Sequence, residues 1–260
     1  MWRVLLARLR QKHRTIDFPG ELPALPDRFR GLPRLDPSRC VDGCRACVDA
    51  CPTDAVSAEP GLRLDLGRCL FCAECTAACP NGAIGYTNDY RLSARNREDL
   101  VIGSAVETRS RTLDSEMTRL FGRSLKLRQV SAGGCNACEA DVNVLGTIVF
   151  DLGRFGIQYV ASPRHADGLL ITGAVSENMR LALKKTYDAV PAPKIVIAVG
   201  ACAISGGPYS GHSEVHDGAD AVVPVDLYIP GCPPHPITIL DGLLTMLGRI
   251  TPDRVRPKDE

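Results

Sequence analysis

The sequence predicts an α/β chain: a flavodoxin-like parallel-sheet domain over residues 125–252, preceded by a small cysteine-rich α+β unit over residues 38–90. Two observations carry that class. From residue 125 onward short apolar runs alternate with helical patterns, and the runs are apolar throughout, as strands covered on both faces require. Before that point, two four-cysteine runs each close on proline, around a short alternating strand.

The first 37 residues read as an amphipathic start and a proline-rich strap. Trp2, Leu5, Leu6 and Leu9 recur at helical spacing, with Arg3, Arg8, Arg10, Lys12 and Arg14 on the other side. Pro19, Pro23, Pro26, Pro33 and Pro37 then forbid a long helix. Within 38–90, Leu62, Leu64 and Leu66 alternate as a strand does. Residues 91–124 are charged and free of proline, which reads as a helical linker. LKLRQVS (125–131) predicts a strand, followed by a Gly-Gly-Cys turn and a helix from about 140 to 153. IQYVA (157–161) and GLLITG (168–173) predict strands, and 176–190 a helix capped by Ser176. KIVIAVG (194–200) and DLYIPG (226–231) predict two more strands, and 235–250 a final helix.

A formal net charge of +1 gives no field to steer the chain to nucleic acid, and 5% aromatic residues leave few platforms for stacking bases. No apolar run is long enough to span a bilayer. The first residues lack a signal peptide's apolar core and cleavage site, so the cytoplasm is the expected compartment. There thiols stay reduced, and dense cysteine reads as metal ligation rather than a disulfide frame.

The twelve cysteines fall into three sets of four. Cys69, Cys72, Cys75 and Cys79, followed by Pro80, have the C-x2-C-x2-C-x3-C-P spacing of bacterial ferredoxins, in which the fourth cysteine of one run ligates the other cluster. Cys40, Cys44, Cys47 and Cys51, followed by Pro52, depart from it by one residue, a bulge that Gly43 can absorb. The crossed pattern assigns Cys69, Cys72, Cys75 and Cys51 to one [4Fe–4S] cluster, and Cys40, Cys44, Cys47 and Cys79 to the other. A [3Fe–4S] form of the latter stays open. The alternative is a pair of zinc sites, against which the tandem repeat with following prolines argues. Cys135, Cys138, Cys202 and Cys232 form the third set. By spacing alone they are equally a redox dithiol and two core cysteines. The contexts SAGGCNAC, VGACAISGG and IPGCPPHP favour a third cluster, since glycine and proline fix tight loops whose amides approach sulfur. Three of these positions follow predicted strands, where ligands sit in open α/β sheets.

These motifs carry a resemblance. FRGLPRLDPSRC, LGRCLFCAEC and their runs resemble the two-cluster ferredoxin subunits of respiratory complex I and formate hydrogenlyase. Residues 125–250 resemble the small electron-transfer subunit shared by membrane-bound (group 4) [NiFe] hydrogenases and complex I. The resemblance implies three [4Fe–4S] clusters, the one at Cys135, Cys138, Cys202 and Cys232 nearest a catalytic site on a partner large subunit. It also implies further subunits of a membrane complex, an electron donor or acceptor near the ferredoxin unit, and peripheral attachment on the cytoplasmic side of the membrane. No catalytic residue is expected on this chain. Complex I subunits have adjacent first cysteines and an arginine after the prolines. Here Asn136 and Ala137 intervene and His235 follows Pro234, which leans towards a hydrogenase. The other readings are a complex I-like quinone oxidoreductase subunit and a free polyferredoxin. Glu139 and Asp141 read either as solvated acids at a helix start or as proton-passing groups. His212 and His216 read as loop residues, and His235 as a neighbour of the cluster loop.

Overall fold

A computed structural model describes residues 2–21, 24–103, 113 and 115–250. Helix α1 (Trp2–Gln11) forms as the spacing predicts, but none of its residues is buried. Trp2 and Leu9 are each 74% exposed. The strap behind it is pinned. Thr15 Oγ1 donates to the Ile148 carbonyl (2.8 Å), and Arg154 Nη2 donates to the carbonyls of Ile16 and Phe18 (2.9 and 3.0 Å). Phe18 is buried edge-on against Tyr90, with ring centroids 6.0 Å apart.

The cysteine-rich unit comprises β1 (Pro33–Leu35), α2 (Ala46–Asp49), β2 (Val56–Ser57), β3 (Arg63–Asp65), α3 (Glu74–Ala78), β4 (Ile84–Tyr86) and β5 (Val101–Ile102). β1 pairs antiparallel with β4, and β2, β3 and β5 form a second antiparallel sheet. Leu62, Leu64 and Leu66 are all buried, as their alternation predicts. The helical reading of 91–124 holds only for α4 (Ser115–Phe121), with residues 104–112 and 114 outside the described residues. Residues 91–97 form no helix, a single 3-10 turn spans Glu98–Leu100, and β5 follows. Ala94 exchanges backbone hydrogen bonds with Tyr228 (3.1 and 2.8 Å), and β5 completes the small sheet on β3. These pairings override the helix propensity of the charged residues.

The rest is a five-stranded parallel sheet of β6 (Leu125–Ser131), β7 (Ile157–Tyr159), β8 (Gly168–Thr172), β9 (Ile195–Val199) and β10 (Leu227–Ile229), in the order β10-β9-β8-β6-β7. Numbered within the domain this is 2-1-3-4-5, the flavodoxin-like order. Every residue of β8 and β9 is buried. The connecting helices are α5 (Ala137–Val144), α6 (Glu177–Ala189), α7 (Ala201–Ser205) and α8 (Pro236–Met246). Helix α5 starts earlier and ends sooner than the predicted 140–153, because Asn136 turns into the left-handed region (φ 70°) just ahead of it. Ser176 takes the N-cap position of α6 without a side-chain capping bond. Helix α8 is buried along its whole length, as a helix apolar on every side must be.

The two parts share one core. Leu64, Leu66 and Leu100 belong to the same apolar cluster as Ala203, Ile204 and Tyr228. Ser205 Oγ donates to the Gly67 carbonyl at 2.9 Å across the junction. Arg97 grips Asp65 with two bonds of 2.9 and 2.6 Å. Among the described residues no helix is long and apolar enough to cross a membrane.

Candidate metal centres

All twelve cysteines are free thiols. Four of them, Cys40, Cys44, Cys47 and Cys79, line one cavity whose other walls include Val41, Leu62 and Ala83. Cys51, the last of its own run, is not among the lining residues. Gly43 takes φ 75° in the longer first turn, a conformation that glycine adopts without steric cost. Burial pushes the Cys47 thiol up, and the neighbouring Cys79 and Cys40 add to it. At Cys79 burial also pulls upward, but backbone amides of Ala83, Asn81, Gly82 and Ile84 outweigh it and hold the thiol below its ordinary value.

Cys51 faces the second run. It contributes to the raised values of both Cys69 and Cys75, where burial is the larger cause and takes Cys69 to about 11. Backbone amides again aim at sulfur. Ala55 N–H donates to Cys51 Sγ at 3.2 Å, and Phe71 N–H to Cys69 Sγ at 3.3 Å. Sequence reasoning missed Tyr86, whose hydroxyl lies 3.6 Å from Cys69 Sγ.

The third set assembles from distant segments. Cys135 and Cys138 follow β6, with Cys138 in the first turn of α5. Cys202 lies in α7 after β9, and Cys232 follows β10, so all four occupy the carboxyl edge of the sheet. Burial pushes the Cys138 thiol well up, and Cys202, Cys232 and Cys135 reinforce it. Cys202 reaches about 11 from burial and the nearby charges of Cys232 and Cys135. Gly200 (φ 92°) sits so close that an added Cβ would lie 2.5 Å from Cys138 Sγ. Burial also raises Cys232, with further contributions from Cys135 and from Cys72 of the second run. The second and third sets are therefore electrostatic neighbours.

Glu139 is not a solvated acid. It is 6% exposed and accepts hydrogen bonds from Ser131 Oγ (2.6 Å) and Thr172 Oγ1 (2.7 Å). Burial opposes its charge, but these donors outweigh it and hold the carboxyl below its usual range. Asp141 is half-buried, and desolvation pushes its carboxyl up. His235 Nδ1 accepts from the Ile237 amide (3.2 Å), and its ring stands edge-on to Phe29. His216 is more than a loop residue, lying 2.5 Å from Glu177 Oε2. His212 Nδ1 accepts from the Glu214 amide at 3.2 Å.

Among the described residues, no three His, Cys, Asp or Glu side chains converge as they would on a single metal ion. The donor sets do fit iron–sulfur clusters. Each is four thiols, and amide N–H groups are directed at cysteine sulfurs in the first two. Crowded thiolates repel one another, and a cationic core offsets that repulsion.

Comparison with known proteins agrees with this arrangement. Residues 135–246 match the family described as NADH ubiquinone oxidoreductase, 20 Kd subunit, and residues 39–83 match a 4Fe-4S dicluster domain. Formate hydrogenlyase subunit 7 of Escherichia coli is 40% identical over 60% of this chain, which spans 62% of that protein, short of two thirds of its length. The "Probable membrane-bound hydrogenase subunit mbhJ" of Pyrococcus furiosus is 38% identical over 52% of this chain and 81% of its own length. An NADH-quinone oxidoreductase subunit of Clostridium beijerinckii is 43% identical over 48% of this chain and 73% of its own. With its parallel sheet, its carboxyl-edge cysteines and its amino-terminal dicluster unit, the chain belongs to the family of the 20 Kd NADH ubiquinone oxidoreductase subunit and its hydrogenase relatives.

Proposed function

We propose that this chain is the electron-transfer subunit of a membrane-associated [NiFe]-hydrogenase-like complex. It relays electrons through three [4Fe–4S] clusters to or from an active site on a partner large subunit. The observation that carries this reading is that the dicluster unit and the sheet bearing the third set share one core, with Ser205 of α7 bonded to Gly67 beside Cys69, which supports an unbroken series from the first set through the second to the third. The hydrogenase-type spacing of Cys135 and Cys138 supports the nickel-containing partner over a quinone site.

Cys40, Cys44, Cys47 and Cys79 hold the first cluster, Cys51, Cys69, Cys72 and Cys75 the second, and Cys135, Cys138, Cys202 and Cys232 the third. When bound, the clusters supply one-electron redox chemistry, and the chain's own groups position and tune them. Amides of Ala55, Phe71 and Ala83 neutralise part of the thiolate charge. The apolar walls around the first set limit the access of water. Cys135 and Cys232 are the exposed members of the third set, which supports that edge as the face towards the large subunit.

Two measurements test this reading. The chain isolated without oxygen should carry about twelve irons and as many labile sulfides, the content of three cubanes, with little zinc. A fully folded zinc-loaded, iron-free chain overturns it. The large subunit that co-purifies with the chain should bind nickel. Quinone reduction by a nickel-free complex transfers the chain to the complex I-like reading, and a stable monomer to that of a free polyferredoxin.

In this reading the chain sits peripherally, on the cytoplasmic side of the membrane complex. The unburied apolar face of α1, with Leu5 51% and Trp2 74% exposed, supports α1 as part of the attachment, on lipid or on a membrane subunit. Deleting residues 2–14 should release the chain from membranes while iron content and cluster spectra stay normal. Undiminished membrane retention after the deletion removes α1 from the attachment.

A further inference from the structure

The two halves of the cysteine-rich unit repeat each other. Each last cysteine opens a matching segment, CPTDAVSA at 51–58 and CPNGAIGY at 79–86. The repeat holds in three dimensions. Ala55 N–H donates to Cys51 Sγ and Ala83 N–H to Cys79 Sγ, each at 3.2 Å, and Val56 and Ile84 are both buried. The eighth position breaks the match, with Ala58 in one half and Tyr86 in the other. The Tyr86 hydroxyl lies 3.6 Å from Cys69 Sγ. Its ring rests against Phe71, centroids 6.0 Å apart at 47°. A phenol keeps its proton at neutral pH. An iron-bound thiolate has no proton to give, which makes Tyr86 the donor.

We propose that Tyr86 sets the potential of the second cluster: its O–H donation to Cys69 raises that cluster's reduction potential above that of its twin, where Ala58 supplies no donor. Hydrogen bonds to cluster sulfurs stabilise the more negative, reduced state. An electron entering at the first set then finds the second set the more favourable site, on the way to the third. The proposal rests on the ligand assignment given above.

The test is a redox titration of the intact chain followed by low-temperature EPR. The second cluster is identified as the one whose signal Cys75→Ser removes. Tyr86→Phe should lower that midpoint, by about three- to tenfold in the reduction equilibrium constant, and leave the other two unmoved. Incorporating 3-fluorotyrosine, a stronger donor of nearly the same shape, should raise the same midpoint, and the rise should vanish in the Tyr86→Phe background. Should Tyr86→Phe lose iron, the fluorotyrosine comparison decides alone. A midpoint unmoved by fluorotyrosine, or equal movement of all three, overturns the proposal and leaves the assignment standing. Absence of the second cluster from the unmodified chain, registered by the iron count, overturns the assignment and this proposal with it.

Discussion

Cys79→Ser should abolish or convert the cluster of Cys40, Cys44 and Cys47 and leave that of Cys51, Cys69, Cys72 and Cys75 intact. Cys79 lines the cavity of the first run, and its charge acts on Cys47. Four backbone amides hold its thiol below the ordinary value, which favours binding iron as thiolate. The expected loss is about four of about twelve irons where one EPR signal disappears, or about one iron where that signal converts to a three-iron form. Cys51→Ser should do the converse, since Cys51 acts on Cys69 and Cys75. Loss of the signal belonging to the mutated cysteine's own run contradicts crossed ligation.

Gly200→Ala and Gly231→Ala should each eliminate the third cluster and spare the other two. An alanine Cβ at 200 would lie 2.5 Å from Cys138 Sγ, and one at 231 would lie 2.3 Å from Pro234 Cα. Both glycines also hold positive φ, 92° and 149°, where a side chain costs about 1–3 kcal/mol before any clash. The loops carrying Cys202 and Cys232 must therefore move. The expected readout is loss of about a third of the iron, together with release from the large subunit. Gly134→Ala should be milder, because its nearest contact would be 3.1 Å, to Gly173 Cα, without a positive φ. Retention of the third signal in both severe variants would falsify the placement of that site.

The strands were legible because each is an apolar run closed by glycine or a turn. β6 occupies the predicted 125–131, and the ends of the other four fall within their predicted runs. Residues 91–102 were not legible, since Arg95, Arg97, Glu98 and Asp99 resemble a solvated helix. The partners on β3 and at Tyr228 hold Val101–Ile102 and Ala94 extended, and only a single 3-10 turn at Glu98–Leu100 remains of the expected helix. At the sites, spacing reveals the first eight cysteines, whereas Cys202 and Cys232 become a site through their glycine and proline contexts and the rule that strand ends converge. Glu139 hid its burial because its two donors, Ser131 and Thr172, lie on separate strands. Tyr86 had a signal in the sequence, the mismatch between two halves that otherwise correspond.

The seam between Ala94 and Tyr228, with Ser205 reaching Gly67, makes the spacing of the cysteine sets a property of one folded chain. Tunnelling rates fall exponentially with gap length, so a relay shared between separate proteins runs only while they are docked. In the proposed relay the step from the second set to the third needs no encounter and does not depend on protein concentration. Its stoichiometry is one to one by covalent linkage. Dilution of a purified complex then leaves that step untouched, and only contacts with other subunits respond to it.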